Sequence, residues 1–347
     1  MAVQELDGFL VTDLLNIRYI SGFTGSYAVA LIIHNSAFLL TDSRYAQQAS
    51  EESPDFTLEL IERGWTGPAK ALIERLDLCR VGFEGHSLNH RDWRELSSGL
   101  PSRELVDAED PIGRLRMVKD ESELAAIREG VRIADLAYEH ISRFIEPGMA
   151  ERGVTVEFDC FMRKAGAEKE AFDTLVASGP RSALPHGKPT DRKIAEGELV
   201  LLDFGARWHG YHSDITRTVV LGKADSKQQE IYDIVLEAQA AGIHAIKSGI
   251  AGGEVDAIAR KVIEEKDYGQ YFGHGLGHGL GLDVHDGRIL GKNSEIILEA
   301  GMVVTVEPGI YIPGWGGIRI EDDVLVTGSG SEVLTTSPRA LSLERSH

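Results

Sequence analysis

The sequence predicts a two-domain α/β protein: an α/β domain over residues 1–115 followed by a larger α+β domain over residues 116–347. Three observations carry that expectation. The chain has 347 residues, more than a single hydrophobic core usually serves. Up to Val106, short apolar runs alternate with helical stretches, the pattern of an α/β layer. Beyond Asp120, long amphipathic stretches mix with apolar strand-like runs that carry carboxylates. Between the two, Ala108 to Lys119 contains Pro111, Gly113 and a basic cluster, which marks the boundary.

The first domain opens with an apolar run, Phe9 to Val11, and Thr12 to Asn16 reads as a turn. Tyr27 to Ile33 is strand-like, and Ala37 to Leu40 is its expected hairpin partner. Gln47 to Glu52 is a short helix candidate and Phe56 to Ile61 a strand. Gly67 to Leu76 places Ala69, Leu72, Ile73 and Leu76 on one helical stripe. Arg80 to Phe83, residues 88–98 and Glu104 to Val106 complete a strand, a helix and a strand.

Asp120 with Glu123 has the spacing of a capping box, and Leu124, Ile127, Val131, Ala134 and Tyr138 recur at helical spacing behind it. That helix is expected to stop near Pro147. Residues 153–165 form a second helix, Phe172 to Ala177 a strand, and Ser178 to Pro189 a turn-rich loop. Leu199 to Phe204 and Tyr211 to Val220 are apolar strands across a turn. Ser226 to Lys247 and Val255 to Glu265 are helices. Met302 to Val306 and Ile318 to Leu325 are the last major strands, with Val333 to Leu334 as an edge.

Composition excludes several function classes. A formal net charge of -19 repels nucleic acid and anionic membrane, so neither is an expected partner. The two cysteines, Cys79 and Cys160, lie too far apart for a cysteine-rich metal site and are too few for a disulfide framework. No apolar run reaches the roughly 18 residues of a membrane span. The first residues lack a basic stretch leading into an apolar one. A cytoplasmic protein is the expectation.

The chemistry gathers in the second domain. Tyr271 to Asp286, Y-F-G-H-G-L-G-H-G-L-G-L-D-V-H-D, holds His274, His278 and His285 among five glycines. Glycine weakens regular structure, so something else must order this stretch, and metal binding can do so. Asp203 sits in an apolar run, where a carboxylate is costly unless paired or metal-bound. Asp214 lies eleven residues on, and a hairpin would bring the two together. Glu307 follows an apolar strand and precedes Pro308. Glu321, Asp322 and Asp323 interrupt another. Carboxylates with imidazole suit two divalent ions of moderate hardness, Mn²⁺, Co²⁺, Fe²⁺ or Zn²⁺. Paired ions generate a nucleophile from water and stabilise a developing oxyanion. A dinuclear metal hydrolase is the reading. A phosphodiesterase or a metal-dependent lyase would use the same groups, although few cationic residues converge here to bind phosphate. His186, on the 178–189 loop, and Arg44, just past a strand end, are further candidates. Spacing alone does not choose among the three histidines.

At this point the sequence resembles the metallopeptidases of the creatinase, aminopeptidase P and prolidase group, family M24. The resemblance covers nearly the whole chain. N-I-R-Y-I-S-G-F-T-G-S at 16–26 and T-D-S-R-Y at 41–45 match its N-terminal domain. F-D-T-L-V-A-S-G at 172–179, L-L-D-F-G at 201–205, S-D-I-T-R-T at 213–218, H-G-L-G-H-G-L-G-L-D-V-H-D at 274–286, V-E-P-G at 306–309 and I-R-I-E-D at 318–322 match its catalytic domain. The resemblance implies a creatinase-like N-terminal domain and a pita-bread C-terminal domain. It makes Asp203, Asp214, His278, Glu307 and Glu321 the metal ligands, with Asp214 and Glu321 bridging. Glu307 would also take a proton from the attacking water. His285 would steady the tetrahedral intermediate, and His186 would contact substrate. His274, Arg319, Tyr311 and Arg44 become supporting or substrate-binding groups.

Two divalent ions are implied, Mn²⁺ first, with Co²⁺, Zn²⁺ or Fe²⁺ as alternatives. Small proline-containing peptides are the implied substrates and a homodimer the implied assembly. The expected reaction is cleavage before proline in Xaa-Pro dipeptides. The alternatives are an Xaa-Pro aminopeptidase acting on longer peptides and, since some relatives lose the ligands, a non-catalytic peptide-binding protein. Methionine aminopeptidases, which share the fold, usually lack a preceding domain of this size.

Overall fold

The computed structural model describes residues 5–287 and 289–343, and the chain divides into two compact units, Met1–Arg116 and Met117–His347.

The first unit is built on one six-stranded sheet. Its strands are β1 (Gly8–Val11), β2 (Val29–Ile33), β3 (Ser36–Asp42), β4 (Thr57–Ile61), β5 (Arg80–Phe83) and β6 (Glu104–Asp107). Their spatial order is β4-β3-β2-β1-β5-β6. β1, β2 and β3 run antiparallel, while β4, β5 and β6 add in parallel. Among the described residues, the α-helices that accompany the sheet are α1 (Leu14–Ser21), α2 (Ala46–Glu52), α3 (Thr66–Arg75), α4 (His90–Gly99) and α5 (Pro111–Arg116). α1 is a correction, because its first residues read as a turn. Asp13 caps it through hydrogen bonds from the Leu15 and Asn16 amides, and Gly22 ends it in the left-handed region at φ 77°. These are standard start and stop signals that the short apolar pattern obscured.

The second unit begins with α6 (Glu121–Phe144) and α7 (Glu151–Lys164). The expected capping box is present. Asp120 Oδ1 accepts from the Glu123 amide at 2.9 Å, and Glu123 Oε2 accepts from the Asp120 amide at 2.8 Å. Replacing Asp120 with alanine should therefore lower stability by about 1 kcal/mol. Urea denaturation measures this, and an unchanged midpoint would contradict the capping account.

β7 (Lys169–Glu170), β8 (Leu175–Ser178), β9 (Leu199–Phe204), β10 (Ala206–Trp208), β11 (Tyr211–His212) and β12 (Ile215–Val220) follow. Then come α8 (Ser226–Ala245), α9 (Gly252–Glu264), β13 (Val303–Val306), β14 (Gly309–Ile312), β15 (Gly316–Arg319), β16 (Asp322–Val326) and β17 (Ser331–Val333). The strands form small antiparallel sheets, β12-β9-β8, β13-β16-β17, β14-β15 and β11-β10-β7. α6 and α7 pack Ile133, Ala137, Phe158 and Met162 onto Val200, Leu202 and Val219. α8 and α9 pack Val235, Ala238, Val255 and Ala259 onto Val304, Val306, Ile318 and Val324. Two helix pairs thus cover these strands.

Two expected strands are each broken next to a carboxylate. Tyr211 to Val220 splits, and Asp214 lies in the gap between β11 and β12. Ile318 to Leu325 splits at Ile320 and Glu321, with β15 and β16 in different sheets. A break frees a side chain from strict in-out alternation.

Candidate metal centre

Asp203 on β9 pairs in register with Thr216 on β12, so the hairpin brings Asp203 and Asp214 to one end of the same sheet. Glu307 follows β13, and its amide donates to the Leu276 carbonyl at 2.8 Å. Glu321 lies between β15 and β16. Its amide donates to the Thr216 carbonyl at 3.1 Å, and its Oε2 accepts from Thr216 Oγ1 at 2.5 Å.

The glycine-rich stretch is ordered by backbone pairing. Gly277 donates to Leu290 and Gly279 to Gly287, while Leu280 donates to Val303. A side chain at Gly277 would meet the Thr305 carbonyl at 1.9 Å. Glycine is needed there for close approach, and the ordering that composition alone attributed to a bound ion is already supplied by these hydrogen bonds. His278 is held on both sides. Its amide donates to Thr305 Oγ1 at 3.1 Å, and its carbonyl accepts from the Thr305 amide at 2.9 Å.

Of the five expected ligands, the structure brings Asp214, His278 and Glu321 together with Glu307 beside His278, and the charge of Asp203 acts on the same cluster. One donor atom each from Asp214, His278 and Glu321 lies within 4.8 Å of the other two. His278 Nε2 stands 3.6 Å from Asp214 Oδ2 and 3.6 Å from Glu307 Oε1. His278 Nδ1 faces the Gly279 carbonyl at 3.1 Å. A carbonyl only accepts, so Nδ1 carries the proton and the Nε2 lone pair points into the cluster. Burial pushes His278 down to about 4, and the neighbouring His285 adds to this.

Burial also pushes the carboxyls of Asp203, Asp214, Glu307 and Glu321 above their ordinary values. After burial, Glu321 is the largest cause for both Asp214 and Glu307. Glu321 itself is pushed up to about 7, with the charge of Asp203 second to burial. Like charges packed this closely out of water oppose one another's ionisation, and cations relieve that opposition. The residues fit divalent cations on the chemistry of their donors: one neutral imidazole with its lone pair free, and several hard carboxylate oxygens around it.

A hydrogen-bonded chain supports the cluster on the Asp203 side. Arg319 is buried and donates from Nη2 to Asp203 Oδ2, from Nε to Thr216 Oγ1 at 3.0 Å and from Nη1 to the Tyr311 hydroxyl at 2.8 Å. The Tyr311 hydroxyl is 3.0 Å from His274 Nε2, while His274 Nδ1 faces the Gly275 carbonyl at 2.8 Å. The directions follow from the donors: Arg319 to tyrosine oxygen, tyrosine hydroxyl to His274 Nε2. Burial pushes Tyr311 up to about 12 and His274 down to about 4.

The His285 ring is exposed and 4.4 Å from that of His278, between ring centres. His186 is exposed on its loop, and its charge acts on Asp203 and His274. Arg44 belongs to the first unit, where its exposed guanidinium pairs with Asp42 at 2.7 Å.

Sequence reasoning noted Asp323 as a strand interruption and gave it no place in the site. It is fully buried. Its Oδ2 accepts from the Asp214 amide at 3.0 Å, and its Oδ1 has no hydrogen-bond partner among the described residues. The signal was the run of three carboxylates, whose directions a run cannot reveal.

The family models place this architecture. Residues 125–328 match the model described as metallopeptidase family M24, and residues 1–118 the creatinase/prolidase N-terminal domain. The chain is 41% identical over 345 residues to the Xaa-Pro dipeptidase of Pyrococcus horikoshii, covering 98% of this chain and 96% of that protein. Its structure is similar to that of the Xaa-Pro dipeptidase from Bacillus anthracis, with TM-score 0.95 and 44% identity, covering 98% and 96% of the two chains. It is also similar to the X-Pro aminopeptidase from Thermotoga maritima, with TM-score 0.90 and 40% identity, covering 97% of each chain. These likenesses give the architecture its name, a creatinase-like α/β domain followed by a pita-bread domain. Together with the buried donor cluster, they show that the chain belongs to metallopeptidase family M24, in its Xaa-Pro dipeptidase and aminopeptidase P group.

Proposed function

We propose that this protein hydrolyses the peptide bond before proline in Xaa-Pro dipeptides, using two divalent ions, Mn²⁺ first among them. The observation that carries the reading is the buried cluster in which Asp214, His278 and Glu321 converge, with Glu307 at 3.6 Å from His278. Asp203 and Glu307 are assigned to opposite ends of the cluster, with Asp214 and Glu321 between them. Divalent ions held there supply Lewis acidity, which polarises a carbonyl and makes water acidic enough to attack near neutral pH.

The chain's own groups do the rest. Glu307, placed beside His278, accepts the proton of the attacking water and passes it to the departing proline nitrogen. That nitrogen carries no hydrogen in an Xaa-Pro bond, so it must receive a proton to leave as an amine. The Arg319–Tyr311–His274 chain fixes Asp203 and presents polar atoms beside it. His285, exposed next to His278, is assigned to the oxyanion that forms on the carbonyl, and His186 to the substrate at the rim. His285→Ala should lower kcat by roughly 10²-fold or more, the usual cost of losing such a donor, with metal content unchanged. Elemental analysis beside kinetics checks this, and metal loss would instead make His285 a ligand.

Catalysis is assigned to residues 116–347. Residues 1–115 are assigned to pairing in a homodimer, which sedimentation tests. A neighbouring subunit's Arg44 is our candidate for meeting the proline carboxylate of a dipeptide. Arg44→Ala should then raise KM for Xaa-Pro dipeptides with kcat little changed, and unchanged kinetics would remove Arg44 from the account. A cytoplasmic location is part of the proposal; among the described residues no helix is long and apolar enough to cross a membrane.

Likeness to the Thermotoga maritima X-Pro aminopeptidase supports a second reading, release of the first residue from longer Xaa-Pro peptides. Comparing Ala-Pro with Ala-Pro-Ala, on protein stripped and reloaded with Mn²⁺, Co²⁺ or Zn²⁺, separates the two. Preference for the dipeptide supports the dipeptidase, and preference for the tripeptide supports the aminopeptidase.

A further inference from the structure

A buried polar node lies directly behind the metal-site cluster and belongs to none of the roles assigned so far. Its centre is Arg217 on β12, 1% exposed. Nη1 donates to the carbonyls of Thr216, at 2.9 Å, and Glu321. Nη2 donates to Asp322 Oδ1 at 2.7 Å and to the Ser337 carbonyl at 2.8 Å. Nε donates to the Pro338 carbonyl at 3.2 Å. The other oxygen of Asp322 accepts from Gln239 Nε2 at 2.7 Å and from Arg339 Nε at 2.6 Å. Gln239 Nε2 also reaches the Val306 carbonyl at 3.4 Å.

The destinations of these bonds matter more than their number. One is the carbonyl of Glu321 itself. Another is the carbonyl of Val306, whose peptide bond leads into Glu307. The node therefore grips the backbone at two of the five candidate ligands. Its remaining anchors, the Ser337 and Pro338 carbonyls and the Arg339 guanidinium, come from the segment after β17. That segment is moored in turn to α6. Asp135 accepts from the Thr336 amide at 2.8 Å and hydroxyl at 2.6 Å, and from the Ser337 amide at 2.8 Å and hydroxyl.

A buried arginine–aspartate pair is weak evidence for stability, because apolar residues of the same volume often serve stability as well. Packing does not account for bonds aimed at ligand-bearing backbone. Partners just outside a metal's ligands commonly set ligand orientation, and a metal site tolerates shifts of only about 0.2 Å in its distances.

We propose that the segment Thr336–Arg339 is a positioning element of the metal site. It holds Arg217 and Asp322 in place, and through them it sets where Glu321 and Glu307 stand. Residues close to the C-terminus, touching neither ion nor substrate, then govern metal affinity. This rests on the metal reading of the cluster given above.

The test uses the full chain, stripped with chelator and titrated with Mn²⁺ by calorimetry, with the melting temperature of each metal-free protein recorded alongside. Arg339 is the point of entry, since its side chain is 34% exposed. Arg339→Met should weaken at least one Mn²⁺ equivalent by roughly 10–100-fold. Arg339→Lys, which keeps the charge at Asp322, should recover part of that loss. Asp135→Asn, acting on the same segment from α6, should weaken Mn²⁺ binding in the same direction. Mn²⁺ affinities equal to wild type in both Arg339→Met and Asp135→Asn would overturn the proposal, whatever their melting temperatures. Failure of the wild-type protein to bind Mn²⁺ would instead overturn the metal reading of the cluster, and this inference with it.

Discussion

Replacing Glu307 with alanine is expected to abolish measurable turnover of Xaa-Pro peptides and to weaken one of the two metal equivalents. Two losses combine. The first is the proton carrier: positioned acid–base groups contribute about 10²–10⁴-fold. The second is a donor at the centre, since Glu307 Oε1 is 3.6 Å from His278 Nε2. The Glu307 backbone is held by the hydrogen bond from its amide to the Leu276 carbonyl and by the Gln239 contact one residue earlier. Glu307→Gln separates the losses, because it keeps the shape and one oxygen donor but cannot carry the proton. Turnover should still fall by at least roughly 10²-fold in that variant. Metal content by elemental analysis and kcat on Ala-Pro are the measurements. Full activity with both metals retained would end the role assigned to Glu307.

Metal removal is expected to produce the largest change in stability. Four carboxylates in the cluster have their charged forms disfavoured by burial and by one another. Cations that bind only the folded chain stabilise it by mass action, by about 2.7 kcal/mol per site when the free ion is at 100 times its dissociation constant. For a unit of this size that corresponds to a rise of roughly 5–11 °C per site in melting temperature. A thermal melt of chelator-treated protein with and without added Mn²⁺ checks it. Ca²⁺, which favours six to eight oxygen ligands, should do less than Mn²⁺ at the same concentration. A melting temperature indifferent to Mn²⁺ would mean that the cluster is stabilised by its own protons and hydrogen bonds.

The parts of the fold legible in the sequence are those where one local signal decides the outcome. Asp120 and Glu123 are such a case: the capping box depends on spacing alone, and it forms. Asp203 is another, because a carboxylate in L-V-L-L-D-F-G is anomalous wherever that strand is placed. The failures are equally specific. At Thr12 to Asn16, an N-cap and a short helix have nearly the same composition as a turn. At Ile318 to Leu325, the apolar pattern is continuous although the hydrogen-bond partners change at Glu321. Glu321, Asp322 and Asp323 are consecutive acids that face three different partners: Thr216 Oγ1 within the cluster, the Arg217 guanidinium, and the amide of Asp214. Only tertiary contacts separate those destinations. Spacing likewise could not choose among His274, His278 and His285. In the structure His274 and His278 both commit Nδ1 to a backbone carbonyl, and they differ in what Nε2 meets: the Tyr311 hydroxyl for His274, and the carboxylates of Asp214 and Glu307 at 3.6 Å for His278.

The measurement that bears most directly on the account follows proline release from Leu-Pro while Mn²⁺ is titrated into stripped protein, with bound metal counted at each point. The account predicts no release without metal, a rate that climbs with occupancy, and a plateau at two equivalents per chain. A plateau at one equivalent, or no proline released with two equivalents bound, would contradict it.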